Sequence, residues 1–575
     1  MWIKYKRIIF SVLLVFAVIA AFGATLDTGF MWDDHQVIEA NPYIKSWSPG
    51  NLRHAFISDP FNQSLNYYRP FETLSHMLDF SFWGLKPAGY HATNLLLHAA
   101  SALLVFALMG ELGLSAAAAF LSALLFAVNP TVIEQLLVTV GRAELASTAF
   151  TLASVLFFLR RGYLLSFVCF LSALGFKENG IITPLLIALT LWFLGKDKRE
   201  YFKLLLFLAP IPFYLRLRHA ATGAGLINIG AAELIFLALK KLPAVILIYL
   251  KNAFLPLNMH SHRMQPDFSA WFYASYAVCL LLPAVLFKYK PRMAIFIISW
   301  YLVNLAPKMP LLASNDLMLD HWTYLSNMGL YMAAAIAAAK LIGSGGVKKT
   351  AACAAAGSLV IFWITLANAN IRLRNTDIKI YEHSAQYSSS KPMLYNLARE
   401  YYLAGQFAKS RNILTRISSL DPDNIMYQNG LALSLWKTGG VDEASALMDR
   451  ILARRPDNAE ALFNKACVLM EKKNFPGAER LLKHSVEKAS GSESAYTALS
   501  GLYLKQGKED EALAVYTKLL DLDPCNLEAL NNAGIINAKK GRYAAAEELF
   551  KRVLKIEPGA KRAAMNLERL QALKK

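Results

Sequence analysis

The sequence predicts an all-α chain in two parts: a polytopic helical membrane domain over residues 1–370, then an α-solenoid over 391–560. Four observations predict it. Residues 1–370 are a series of apolar runs separated by short polar loops. Residues 391–575 are charged, alanine-rich and free of long apolar runs. Hydrophobic residues make up 55% of the 575-residue chain and charged residues only 18%, an excess carried by the first part. Finally, residue types recur at a fixed 34-residue interval in the second part.

About 11 apolar segments are expected to span: 8–24, 93–110, 115–130, 143–159, 162–176, 180–195, 201–215, 270–287, 293–307, 328–342 and 351–369. A straight crossing needs about 20 residues, so the shorter segments must borrow flanking ones. The first reads as an uncleaved signal anchor, basic then apolar. The net charge of +19 comes largely from clusters in short loops, such as Lys4, Lys6 and Arg7, Arg160 and Arg161, Lys196, Lys198 and Arg199, Lys288, Lys290 and Arg292, and Lys348 and Lys349. With the N-terminus inside, all of these fall on the cytoplasmic side. The charge therefore has a membrane explanation, and nucleic acid is not an expected partner. The stretch 231–258 is apolar but interrupted by Lys240 and Lys241. It is expected to cross zero or two times, as interfacial or re-entrant helices. An odd number of crossings then places the C-terminal part outside. Five cysteines without a C-x-x-C pair suggest neither a disulfide framework nor a zinc site.

The same topology puts residues 25–92 outside as the longest loop. It is rich in Trp, Tyr and Phe, and Pro42, Pro49, Pro60, Pro70 and Pro87 predict short helices and turns. Outer loops 131–142, 216–230 and 308–327 face the same side.

From residue 391, Pro422, Pro456, Pro524 and Pro558 keep one phase, with Ser490 at the missing position. Ser410, Ala444, Ala478, Ala512 and Ala546 keep another. "LDPDN", "RRPDN" and "LDPCN" close successive units. Small residues let paired helices approach, and proline ends each unit; this is the tetratricopeptide (TPR) pattern. Five repeats are predicted, at 391–424, 425–458, 459–492, 493–526 and 527–560, with a linker at 371–390 and a capping helix at 561–575. Such an array commonly holds a peptide or partner protein in its groove.

Polar residues crowd the outer face. "MWDDHQ" supplies Asp33, Asp34 and His35, and "YYRP" supplies Arg69. His91, Asn94 and His98 share one helical stripe, which is costly in lipid unless it faces protein or water. Glu134, Arg142, Glu144, Lys177, Glu178, Arg216, Arg218 and His321 lie in other outer segments. An outward aspartate with scattered cations suits group transfer from a lipid phosphate. The base takes a hydroxyl proton, and the cations hold the charge of the departing phosphate. Asp33, Asp34 and His35 also offer donors to a divalent metal.

"FMWDDHQVIEANPYIKSW", "YYRPFETLSHMLDFSFWGLKPAGYHATNLLLHAAS", "NPTVIEQLLVTVGRAELAS" and "LSALGFKENGI", followed by the array, resemble in order the transmembrane and TPR-repeat-containing O-mannosyltransferases. These belong to the GT-C superfamily, and the resemblance runs over nearly the whole chain. It implies an inverting enzyme that moves one sugar, mannose or a similar hexose, from polyprenyl phosphate to a protein Ser/Thr hydroxyl. The first-loop aspartate would be the base, Asp34 slightly favoured over Asp33. The positions Arg69, His91, Asn94, Glu134, Arg142, Glu144, Lys177 and Glu178 would line the site. Two departures are His321 where arginine is usual and Ser326 where proline is usual.

The expected partners are the lipid-linked donor, membrane lipid and an acceptor protein or peptide in the TPR groove. The expected location is a bacterial inner membrane with the array outside, or the endoplasmic reticulum in a eukaryote. Two competing readings are a GT-C transferase acting on a lipid or glycan, and a non-enzymatic membrane-anchored scaffold.

Overall fold

The computed structural model describes residues 2–59, 67–223, 230–261, 263–264, 291–314, 317–489, 491–557 and 559–574. The predicted span 270–287 lies outside these, as do Ser490 and Pro558. The chain divides into two compact units, Met1–Ser390 and Lys391–Lys575.

Among the described residues the first unit is helical apart from a two-residue antiparallel pairing of Arg263–Met264 with Leu317–Met318. Among them, six helices are long and apolar enough to cross a membrane, or seven if Ala116–Val128 and Pro130–Leu137, bent by 42°, form one span. Tyr163–Phe176, Glu178–Leu194 and Asn327–Gly343 are apolar but shorter than a straight crossing requires. Ten of the 11 expected segments fall on helices among the described residues, but only six or seven of these helices are long and apolar enough to cross. The stretch predicted to be interfacial or re-entrant is one continuous helix, Ala231–Phe254, with Pro243 inside it. It has no break at which a re-entrant hairpin could turn.

Buried hydroxyls tie neighbouring helices. Ser154 donates to the Ser166 carbonyl at 2.8 Å, and Ser147 to that of Ala173 at 3.1 Å. Both bonds join Arg142–Leu159 to Tyr163–Phe176 and satisfy groups that would be costly if unpaired in an apolar interior. The fully buried Trp300 donates its indole N–H to the Leu325 carbonyl at 3.0 Å.

The first outer loop folds into short elements, as its prolines predict. Pro42, Pro49, Pro70 and Pro87 each occupy the first helical position, where a missing N–H costs nothing. Helices Pro49–Ile57 and Pro70–Trp83 result. After the last long helix, Gly346–Leu373, comes a short one, Asp377–Ala385, capped by the Thr376 side chain.

The second unit is the repeat array. First helices begin at Lys391, Ile425, Ala459, Glu493 and Leu527, each 34 residues after the last, and second helices at Phe407, Val441, Phe475, Glu509 and Tyr543. The final helix is Lys561–Lys574. Ser410, Ala444, Ala478, Ala512 and Ala546 are all fully buried at the crossings. The asparagine that closes each "DN" or "CN" phrase caps the next helix. Asn424, Asn458 and Asn526 accept from Tyr427 N, Ala461 N and Ala529 N at 3.3, 2.8 and 2.9 Å.

Between the paired helices the chain turns through a left-handed residue. Gly405, Gly439, Gly507 and Gly541 take φ of 73°, 89°, 72° and 72° in the same 34-residue phase. The fifth member of this column is Lys473, at φ 60°. A side chain there costs about 1–2 kcal/mol that glycine avoids. Lys473→Gly is therefore expected to stabilise the array by about 0.5–1 kcal/mol, after the extra unfolded-state entropy of glycine. Chemical denaturation of a 391–575 fragment measures it; an unchanged or lower midpoint contradicts the assignment.

Candidate active site

A cavity of about 250 Å³ opens where the outer segments of the first unit converge. Trp32 and Asp33 reach it from the first loop, Tyr67 and Arg69 from the start of Pro70–Trp83, and Glu134 and Gln135 from Ile133–Leu137. Glu144, Lys177, Glu178, Lys308 and His321 complete its charged wall. Segments nearly 300 residues apart in sequence thus share one cavity. Of the loops predicted to share one side, 25–92, 131–142 and 308–327 contribute to it, and the described residues of 216–230 do not.

The two adjacent aspartates have different surroundings. Asp34 is fully buried. Its carboxylate accepts the Thr139 and Val140 amides, both at 2.9 Å, and the Met31 amide at 3.2 Å. It thereby caps the Thr139–Gly141 turn, which leads into Arg142–Leu159. Gly141 is obligatory there because a Cβ would lie 2.4 Å from the Gln135 Cα. Burial pushes the Asp34 carboxyl up to about 7, against the pull of the three amides. That value would suit a general base, but geometry decides first: both oxygens are committed and neither faces the cavity. Asp33 is exposed and lines the cavity. Of the pair, then, Asp33 faces the cavity and Asp34, slightly favoured from sequence, does not.

The backbone just before Asp33 is unusual. Trp32 takes φ 53°, a conformation that bulky side chains rarely adopt. Its amide donates to Asp377 Oδ1 at 2.7 Å. His35 Nε2 lies 3.0 Å from Asp377 Oδ2, and Nδ1 pairs with Glu39. Burial lowers the His35 pKa, but hydrogen bonds to Glu39 and Asp377 outweigh it and lift the imidazole to about 9. His35 is thus an imidazolium at neutral pH with both nitrogens engaged.

The cations of the cavity are arranged around carboxylates. Glu144 bridges Lys177 at 2.8 Å and Lys308 at 3.1 Å, and Lys308 also donates to the Trp322 carbonyl at 2.6 Å. Asn179 Nδ2 reaches Glu144 Oε2 at 3.1 Å. Arg69 is buried; its pairs with Glu72 and Glu178 are long, 3.5 and 3.6 Å. Its guanidinium stacks 4.3 Å over the Tyr67 ring, and its Nε finds no hydrogen-bond partner among the described residues. Arg69 and the lysines retain donors for an anion. His321 Nδ1 meets Glu134 Oε2 at 2.8 Å, and Gln135 Nε2 donates to the His321 carbonyl at 3.3 Å.

Besides Asp34, five predicted residues do not line the cavity. His91 sits between the Leu136 carbonyl at 2.9 Å and the Thr28 hydroxyl at 3.0 Å. Asn94 donates to the Gln135 and Thr139 carbonyls at 3.1 and 3.0 Å. Its oxygen accepts from Arg142 Nε at 3.0 Å. Arg142 is fully buried, pairs with Asp79 and donates to the Tyr90 carbonyl at 3.1 Å. These three knit helices behind the cavity, which is what buried polar groups need. Arg216 is exposed and Arg218 buried, both on Pro210–Thr222 and neither in the cavity wall. The stripe reading of His91, Asn94 and His98 resolves to packing; His98 bonds the Tyr324 hydroxyl at 2.7 Å and the Ala127 carbonyl at 2.9 Å.

Three contributors were missed from sequence: Lys308, Asp79 and Asp377. Lys308 carried a readable signal, a lone cation set between prolines at the close of an apolar run in "APKMP". Asp79 and Asp377 sit in ordinary amphipathic surroundings and carried none.

A metal finds no ready seat. Among the described residues no group of three His, Cys, Asp or Glu side chains converges as ligands. Asp34 is committed to amides and His35 to two carboxylates, so the suggested Asp33, Asp34 and His35 set does not fit a divalent ion.

Comparison with known proteins adds two findings. The tetratricopeptide repeat family profile matches residues 429–493 and 498–561. The chain is also homologous to proteins named protein O-mannosyl-transferases. It is 36% identical over 175 residues to Protein O-mannosyl-transferase tmtc2 of Xenopus laevis, covering 27% of this chain and 21% of that one. It is 34% identical over 176 residues to Tmtc1 of Drosophila melanogaster (29% and 20%) and 33% over 160 residues to TMTC3 of Mus musculus (27% and 17%). These alignments span about a fifth of the curated relatives' own length, and about a quarter of this chain, less than the ordered motifs led us to expect.

Solved tetratricopeptide proteins resemble the chain over about a third of its length. A thermophilic TPR protein of Thermus thermophilus is 16% identical, covers 32% of this chain and 100% of its own, and has a TM-score of 0.27. MamA from Desulfovibrio magneticus RS-1 is 21% identical, covers 30% and 98%, and has a TM-score of 0.26.

The geometry separates the two aspartates experimentally. Asp34→Asn turns an amide N–H toward backbone N–H donors and is expected to destabilise the first unit by about 2 kcal/mol or more. Asp33→Asn, at an exposed side chain, is expected to cost clearly less. Thermal unfolding in detergent reads both; equal midpoints for the two variants would contradict the assignment of Asp34.

Proposed function

We propose that the chain is an integral membrane glycosyltransferase of GT-C type. It moves one sugar, mannose or a similar hexose, from a polyprenyl-phosphate carrier to a hydroxyl of an acceptor protein. The observation that carries this reading is the cavity itself, which sets one exposed aspartate, Asp33, among Arg69, Lys177, Lys308 and His321. Supporting it are the helices long enough to cross a membrane and the homology to proteins named O-mannosyl-transferases.

In this mechanism Asp33 accepts the proton of the acceptor hydroxyl as its oxygen attacks the anomeric carbon. The bond from that carbon to the phosphate oxygen breaks with inversion. The electron pair leaves on polyprenyl phosphate, which needs no proton. Arg69 and the two lysines hold its charge, Arg69 with the fork geometry suited to phosphate oxygens. Glu144 keeps Lys177 and Lys308 apart from each other and oriented before the anion arrives. The array, on the extracytoplasmic side, presents the acceptor. The membrane is the bacterial inner membrane, or that of the endoplasmic reticulum in a eukaryotic cell.

Three measurements test the reading. Asp33→Asn is expected to lower kcat by about 10²–10⁴ in a folded protein. Lys177→Met is expected to lower kcat/KM for the lipid donor by about 10²-fold, since it removes a charge that the departing phosphate meets. Mass spectrometry of a deletion strain is expected to show loss of hexose from protein; loss from lipid or glycan alone would favour the competing acceptor class. Full activity in Asp33→Asn would overturn the base assignment.

A further inference from the structure

We propose that Asp377 is a positioning residue for Asp33, fixing the left-handed turn that delivers Asp33 to the cavity; this rests on the reading of Asp33 as the base. The two oxygens of Asp377 take the two residues that flank the aspartate pair. Oδ1 accepts the Trp32 amide at 2.7 Å, and Oδ2 meets His35 Nε2 at 3.0 Å. One turn further along the same helix, Tyr381 packs its ring 5.7 Å from that of Trp32. The helix Asp377–Ala385 thus grips both the backbone and the ring of the residue before Asp33.

The grip has a reason to exist. A tryptophan at φ 53° stays in that conformation only when its surroundings over-determine it. The Asp377 side chain is only 15% exposed, which strengthens its bonds relative to open solvent. His35, charged and held on its other nitrogen by Glu39, gives Oδ2 a charge-assisted partner. On the following side, Asp34 is pinned to the Thr139 and Val140 amides. Asp33 therefore stands between two anchored residues, each held by a buried or nearly buried carboxylate. Asp34 anchors it to the membrane helices. Asp377 anchors it to the segment that, in chain order, follows the last long helix and precedes the repeats.

The test uses the full chain in detergent or liposomes, with polyprenyl-phosphate mannose as donor and a peptide acceptor. Asp377→Asn is expected to lower kcat about tenfold, and Asp377→Ala about 100-fold, with both KM values within about twofold of the parent, as for a misplaced base. Asp377→Glu is expected to recover part of kcat. In an Asp33→Asn background, Asp377→Ala is expected to cause no further loss, because the two residues act through one proton transfer. Hydrogen exchange at the Trp32–His35 amides is expected to quicken in Asp377→Ala, whatever the role of Asp33.

An unchanged kcat in Asp377→Ala would overturn the proposal. So would an equal fold-loss with and without Asp33, or unchanged exchange at those amides. Full activity of Asp33→Asn alone would instead remove the base reading, and the catalytic role of Asp377 with it, while the exchange result still reports on the grip. Should Asp377→Ala fail to fold, the Asn and Glu variants carry the comparison.

Discussion

The first unit depends on one buried carboxylate. Asp34 holds the Thr139 and Val140 amides and so joins the start of the first outer loop to the turn between two membrane helices. That join fixes the start of the loop against the turn, alongside the hold of Asp377 on Trp32 and His35. Arg142, three residues beyond Thr139, extends the same seam by binding Asp79, Asn94 and the Tyr90 carbonyl. Removing one partner from such a fully buried network leaves a charge without compensation, which is far more costly than losing a surface pair. The position of Asp33 is therefore a consequence of its neighbour's burial.

The cavity pairs its cations with carboxylates. Its wall carries Asp33, Glu134, Glu144 and Glu178 beside Arg69, Lys177 and Lys308, with His321 bonded to Glu134. Arg69, Lys177 and Lys308 each already have a carboxylate partner. The cations still keep donors to offer. Arg69 is the clearest case, with long ion pairs and an Nε that none of the described residues satisfies.

Much of the fold was legible because it rests on periodicity. Starts of the repeat helices fall 34 residues apart, and the prolines and small residues that announce this are local in sequence. Pro42, Pro49, Pro70 and Pro87 of the first outer loop likewise each begin a helix. The site was legible as a set of segments but not residue by residue. His91, Asn94 and Arg142 look as functional in sequence as Arg69 and Lys177 do, since each is a polar residue in an apolar stretch. Which of them faces a cavity and which faces a carbonyl is decided by contacts 40 or more positions away, as in the bond from Asn94 to Gln135. The exchange of roles between Asp33 and Asp34 has the same origin. Adjacent residues point in different directions, and only the partners of each side chain say which one is sealed.

The most direct test is a structure of the protein with a polyprenyl phosphate bound. The account predicts that the phosphate lies in the cavity, contacting Arg69 and Lys177 or Lys308, with the Asp33 carboxylate facing the position of the sugar. A phosphate bound elsewhere, or one facing Asp34 with Asp33 turned to solvent, would contradict it.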